Sequence, residues 1–259
     1  MRHGLIWCLI APTALAAGGV FDGADVVFLG ELHDNPAHHA RQAEYVAELD
    51  PAALVFEMLT PAQADRVTPE LIADASALEA ALGWNESGWP DFSMYYPIFA
   101  AAPEAAYYGA AVPRDTARQA MADGMASAFR GDAEAYGLTD PLPEAQQAAR
   151  EALQLSAHCD ALPEDMLPVM VEIQRLRDAE LAYSAVQAVE AHGGPVVVIT
   201  GNGHARMDWG APTYLMAAEP GLRIASLGQG EDGDPPSGEF DLVETAPAVD
   251  RGDPCDAFR

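Results

Sequence analysis

The 259-residue chain contains no lysine, and its 13 basic residues, all arginine, face 40 acidic ones for a net charge of −27. Without lysine there is no Schiff-base amine and no Walker-type phosphate lysine. A field of this sign repels DNA, RNA and anionic lipid, whose capture depends on basic patches; a solvated acidic surface that keeps the chain soluble is its plainer role. Cysteine is scarce at three residues, with no cluster for structural zinc or an iron–sulfur centre. Long apolar runs are missing too: Leu5 to Leu15 falls short of the roughly 20 residues that cross a bilayer. There is no Gly-x-Ser-x-Gly elbow, no His-Glu-x-x-His helix and no internal repeat.

Residues 1–16 read as a secretory leader: Arg2, the apolar stretch, then Ala14-Leu15-Ala16 as the cleavage site. Lipidation would use Cys8, but Trp7 is bulky for the position before a lipidated cysteine. Export leaves Cys159 and Cys255, which an oxidising compartment would join or leave as two thiols. The expected location is periplasmic or secreted.

Five apolar runs read as buried parallel strands because they are nearly continuous rather than alternating. They are Asp25–Leu29, Ala53–Phe56, Ala105–Val112, Pro195–Thr200 and Leu222–Leu227. Asn35-Pro36 starts a helix with a capping side chain and proline at the first position. That helix carries Ala43, Val46 and Leu49 inward, with His38, Gln42 and Tyr45 on one face. From about 60 to 190 the composition turns alanine-rich, charged and helical. After about 229 it is rich in glycine, proline and acid and is expected to be irregular. The predicted class is α/β: a mostly parallel sheet flanked by helices, with an inserted helical lobe.

Polar residues stand where the strands run out, and parallel topology gathers such ends in one crevice. Glu31 and His33 follow the first run, Glu57 the second, Arg114 the third, and His204 and Arg206 the fourth; all six are expected to approach one another. Glu31 and His33 offer an oxygen and an imidazole to a hard or borderline metal. His38 and His39 suit a structural or solvated role. Glu57 needs a partner, a proton or a cation if buried, so an ion pair with an arginine and a direct site role both stay open. Thr200-Gly201-Asn202-Gly203-His204-Ala205-Arg206 sets two glycines beside a polar cluster. It is no dinucleotide fingerprint, since Arg206 takes the third glycine position; nor is Gly228-x-Gly230-x-x-Gly233, which runs into Asp234-Pro235-Pro236. Farther along, Arg177 falls within the apolar stripe of a long helix, flanked by Gln174, and is expected to pair with a carboxylate or, as a second reading, to contact a ligand directly.

In order, Gly30-Glu-Leu-His-Asp-Asn-Pro with His38-His39 and Gln42, Phe56-Glu57-Met58, Pro113-Arg114, Gln174-x-x-Arg177-Asp178 and Gly201-Asn-Gly-His-Ala-Arg resemble the ChaN-like haem-binding family. That family is distantly related to the Tiki and TraB proteins and the erythromycin esterases. The resemblance makes residues 17–259 one ChaN-like α/β domain of an exported protein in iron acquisition. It implies haem at a homodimer interface, held through a tyrosine. Tyr95 and Tyr96 are the axial candidates, and Arg114 and Arg206 the cations for the propionates. An asparagine often precedes the family's Pro-Arg pair; here Ala111 and Val112 do. The alternative is a metal-dependent hydrolase, a peptidase or esterase, in which Glu31, His33, Glu57 and His204 hold a divalent ion and carry the catalysis. Neither reading includes nucleic acid or a transmembrane segment.

Overall fold

The computed structural model describes residues 18–253 and 255–256, so the leader and its cleavage site lie outside the described residues. In chain order the elements begin with α1 (Gly18–Phe21), β1 (Val26–Glu31), α2 (Pro36–Leu49) and β2 (Ala53–Phe56). The middle holds α3 (Pro61–Ala64), α4 (Pro69–Ile72), α5 (Ala75–Leu82), α6 (Phe92–Ala101), β3 (Ala106–Gly109), α7 (Arg114–Asp123), α8 (Met125–Ala128), α9 (Glu144–Ala157) and α10 (Leu167–His192). The last part runs through β4 (Val196–Gly201), α11 (Asn202–Ala205), α12 (Ala211–Ala218), β5 (Ile224–Glu231) and β6 (Leu242–Ala246).

The strands form one parallel sheet in the order β3-β2-β4-β1-β5-β6. Because successive side chains point to opposite faces, each central strand feeds two cores. Val27, Leu29, Leu54, Phe56, Val197 and Ile199 pack on α2, α5 and α6 through Val46, Leu78, Ile98 and Phe99. Val26, Phe28, Val55, Val196 and Val198 pack on α10 and α12 through Leu176, Leu181, Ala185 and Leu215. Burial on both faces explains why these strands are apolar throughout.

β1 has its successors β2 and β3 on one side and β5 and β6 on the other, so the crevice at the carboxyl ends opens around β1, β4 and β2. Register then sets Gly30 beside Thr200 and Glu31 beside Gly201. Gly30 has to be glycine: a Cβ there would stand 2.6 Å from Asn202 Oδ1 and 2.7 Å from the Leu227 carbonyl oxygen. The predicted cap is present, with Asn35 Oδ1 accepting the Ala37 N–H and Pro36 in the first turn of α2.

The structure departs from expectation at three strands, of which β5, expected over Leu222–Leu227, runs from Ile224 to Glu231. β3 is half the predicted run, since the Ala111 N–H turns away to the Leu59 carbonyl at 2.8 Å before Pro113 opens α7. The tail, expected to be irregular, carries β6, which pairs with β5 from Leu227↔Leu242 to Glu231↔Ala246. Exposed Val243 and Thr245 alternate there with half-buried neighbours, so this edge strand lacks the continuous apolar signature of the buried ones. The tail is tied down further along. Asn35 Nδ2 donates to Glu231 Oε1 and the Pro247 carbonyl, Arg251 pairs with Asp34 and Glu231, and a disulfide joins Cys255 to Cys159 between α9 and α10. Among the described residues no helix is long and apolar enough to cross a membrane.

Candidate functional site

Two carboxylate–imidazole groups occupy the sheet mouth. In the first, Glu31 ends β1 and is fully buried. Its Oε1 accepts from Tyr95 Oη at 2.9 Å and from His33 Nδ1 at 2.7 Å. Its Oε2 lies 3.2 Å from His39 Nδ1, at ion-pair distance but out of line for a hydrogen bond, and both atoms are otherwise unpartnered. His39 Nε2 donates to the His33 carbonyl at 2.9 Å. His38 has a different duty: its Nδ1 accepts the Leu32 N–H at 3.0 Å, which leaves Nε2–H to donate to the Gly230 carbonyl. It is a neutral brace between the β1–α2 turn and β5.

In the second group, Glu57 follows β2 and its Oε2 accepts from Thr200 Oγ1 at 2.6 Å and the Gly201 N–H at 2.8 Å. Its Oε1 stands 3.7 Å from His204 Nε2, while His204 Nδ1 donates to Asp178 Oδ1 of α10 at 2.6 Å. Gly201 sits between the groups, where a Cβ would come within 2.9 Å of His33 Nε2. Trp89 covers His33 edge to face at 4.9 Å.

These contacts set the proton affinities. Burial works to raise the Glu31 carboxyl, but His33 and His39 outweigh it and hold it down at about 2. Burial works to lower the His33 imidazole, yet the carboxylates of Glu57 and Glu31 push it up to about 9. Burial likewise opposes the charged forms of Glu57 and His204; their mutual attraction, with Thr200, Gly201 and Asp178, keeps Glu57 below and His204 above their usual ranges. The sheet mouth thus sets carboxylates and imidazoles in alternation, with His33 held charged at neutral pH.

Among the described residues no three His, Cys, Asp or Glu side chains are arranged to hold a metal ion. The donor atoms of Glu31 and His33, and of Glu57 and His204, face one another.

Beside Glu57 a cavity of about 590 Å³ opens, with Met58, Trp89, Val112 and Leu181 in its walls and Arg114 and Arg177 on its rim. Neither arginine makes a hydrogen bond or ion pair among the described residues, so Arg177 lacks the carboxylate expected for it. The arginine of α10 that is pinned is its neighbour Arg175, through Glu172, Tyr214 and the carbonyls of Gly137 and Asp140. Arg206 stands apart from the other five strand-end residues: it is paired with Asp208 and stacked on Trp209 at 3.6 Å. Tyr95 is fully buried, and burial with Glu31 drives its hydroxyl far above the ordinary tyrosine range. Tyr96 donates to the Ile72 carbonyl at 2.9 Å. Asp178 was visible as a motif letter, but its role came only from the three-dimensional approach of α10 to β4. Arg150 of α9, buried beside His204, had no sequence signal at all in its alanine-rich surroundings.

Comparison with known proteins places this geometry. A family model described as haem-binding uptake, Tiki superfamily, ChaN matches residues 20–215. No curated protein matches the sequence. Among solved structures, ChaN of Campylobacter jejuni, described as binding haem cofacially, is 19% identical with a TM-score of 0.63 over 85% of this chain and 86% of that one. The type III effector HopBA1 is 13% identical with a TM-score of 0.46, over 87% of this chain and 88% of its own.

Proposed function

Because this chain belongs to the haem-binding uptake family of the Tiki superfamily typified by ChaN, we propose that it is an exported haem-handling protein that takes haem at the sheet-mouth cavity. The observation that carries the location is the pair of unpartnered guanidinium groups, Arg114 and Arg177, on a cavity of mixed polar and apolar lining in a chain of net charge −27. Haem carries two carboxylates on a flat apolar body. Charge-assisted guanidinium–carboxylate bonds suit the one and Trp89, Met58, Val112 and Leu181 suit the other.

The residues therefore fit the edge and the plane of the group. They do not favour Tyr95 or Tyr96 as iron ligands, since each hydroxyl is already donated inward, nor Arg206 as a propionate partner, since Asp208 occupies it. Iron chemistry is what haem supplies when bound. The chain's share is to clamp the propionates with Arg114 and Arg177 and to keep a charged, hydrogen-bonded floor of Glu57 and His204 beneath the cavity. The Cys159–Cys255 disulfide supports export, because such bonds persist in oxidising compartments.

Haem titration followed by absorbance, with sizing of the loaded protein, tests this reading and reports whether two copies assemble. Saturable, stoichiometric uptake is expected. One charge-assisted hydrogen bond is worth about 1.5–3 kcal/mol, so Arg114→Gln and Arg177→Gln should each weaken binding about tenfold or more. Uptake that neither substitution alters would move haem away from this cavity.

A further inference from the structure

A second, smaller pocket of about 80 Å³ shares no lining residue with the haem cavity. It lies among α9, α10 and the segment after β4, and its polar lining is Arg150, Gln154, Gln174, Asp178 and His204, with the indole of Trp209 as a wall. Arg150 is only 7% exposed. Its one hydrogen bond among the described residues goes from a terminal nitrogen to the Trp209 carbonyl at 3.0 Å; its Nε is buried without a partner, and it has no ion pair. Its charge rests 5.2 Å over the Trp209 ring. The side-chain amides of Gln154 and Gln174 have no protein partner among the described residues either. Asp178 is the nearby carboxylate and its charge reaches Arg150, but no hydrogen bond or ion pair joins the two among the described residues, and its Oδ1 is taken up by His204 Nδ1 at 2.6 Å. A buried guanidinium without a full set of acceptors is costly, and the neighbouring amides that line the same pocket add hydrogen-bonding capacity rather than charge.

We propose that this pocket is a carboxylate subsite, in which the Arg150 guanidinium anchors one carboxylate and the amides of Gln154 and Gln174 complete its hydrogen bonds. The planar fork of arginine matches a planar carboxylate. A pocket of this size suits a head group the size of acetate. Leu153 and Val171 also line the pocket and offer contact to a short apolar stem. The carboxylate belongs either to a free short-chain acid or to the end of a longer molecule. The subsite does not depend on the haem reading, and haem-free protein tests it.

The experiment is a titration of the full-length haem-free chain with sodium acetate against sodium chloride at constant ionic strength, following arginine Nε–H resonances by NMR. The resonance that Arg150→Gln removes is that of Arg150. It should shift saturably with acetate, with half-saturation in the millimolar range, while the arginines of the exposed pairs stay still and chloride has no effect. Gln154→Leu with Gln174→Leu should weaken acetate by about tenfold, and this variant keeps the test open should Arg150→Gln fail to fold. Hexanoate distinguishes the sources: tighter binding than acetate indicates the end of a longer molecule, weaker binding a free short acid. An Arg150 resonance that ignores acetate, or follows chloride equally, overturns the proposal and leaves the pocket to water.

Discussion

Glu31 and His33 show how a two-residue spacing after a strand becomes a site, and their pH behaviour tests it. The folded His33 value of about 9 lies above its ordinary 6.5, so its contribution is complete below 6.5 and lost as pH rises through 9. Glu31 runs the other way: held at about 2 against an ordinary 4.5, it contributes fully above 4.5 and loses its effect as pH falls through 2. Denaturant midpoints across pH should thus decline from about 6.5 toward 9, and His33→Gln should flatten that alkaline limb; parallel curves for the two proteins would refute the coupling. Tyr95→Phe removes a buried donor to Glu31 and should cost about 1–2 kcal/mol of stability while leaving haem uptake intact. Loss of uptake in a folded Tyr95→Phe protein would return that hydroxyl to the iron. Residue by residue, the sequence marked Glu31, His33, Glu57 and His204 correctly as strand-end groups, because strand ends are punctuated by glycine and charge. Which nitrogen faces which oxygen depends on tertiary approach, so a four-donor metal set and a two-by-two charge alternation look identical in one dimension.

At the scale of elements, the buried strands β1, β2 and β4 were legible within a residue or two, since burial on both faces demands unbroken apolar runs. β6 was not, because an edge strand half in water has no such demand. Similarly, α10 buries residues nearly all the way round, so no single stripe revealed that Arg175 would be pinned and Arg177 left at the cavity. β6 owes its place to what surrounds it. Arg41 and Tyr45 of α2 both reach Glu244, and the tail beyond is fastened through Arg251 and the disulfide. Closing a loop of 96 residues, that bond should be worth about 2–5 kcal/mol. Reduction, or Cys159→Ser, should lower stability by that order and speed hydrogen exchange in Leu242–Ala246 before Val26–Glu31. Unchanged β6 protection on reduction would show that the strand stands on its pairing to β5 alone.

At the scale of the molecule, a −27 field and an anionic ligand are opposed, and the arginines of the cavity rim act only at short range. Screening weakens the long-range repulsion, with a Debye length of about 10 Å at 0.1 M salt. Haem association should therefore quicken as ionic strength rises, the reverse of a steered encounter; stopped-flow rates that fall with salt would show that local cations dominate the approach. The all-parallel sheet and the family motifs at its carboxyl edge make haem binding at that edge the central claim. Its most direct test is a haem titration of the intact chain beside the Arg114→Gln/Arg177→Gln double variant. A saturating absorbance change at a fixed haem-to-chain ratio, reduced in the folded variant by about a hundredfold in affinity, is the predicted result. A spectrum that never saturates, or one that the double variant reproduces, would contradict it.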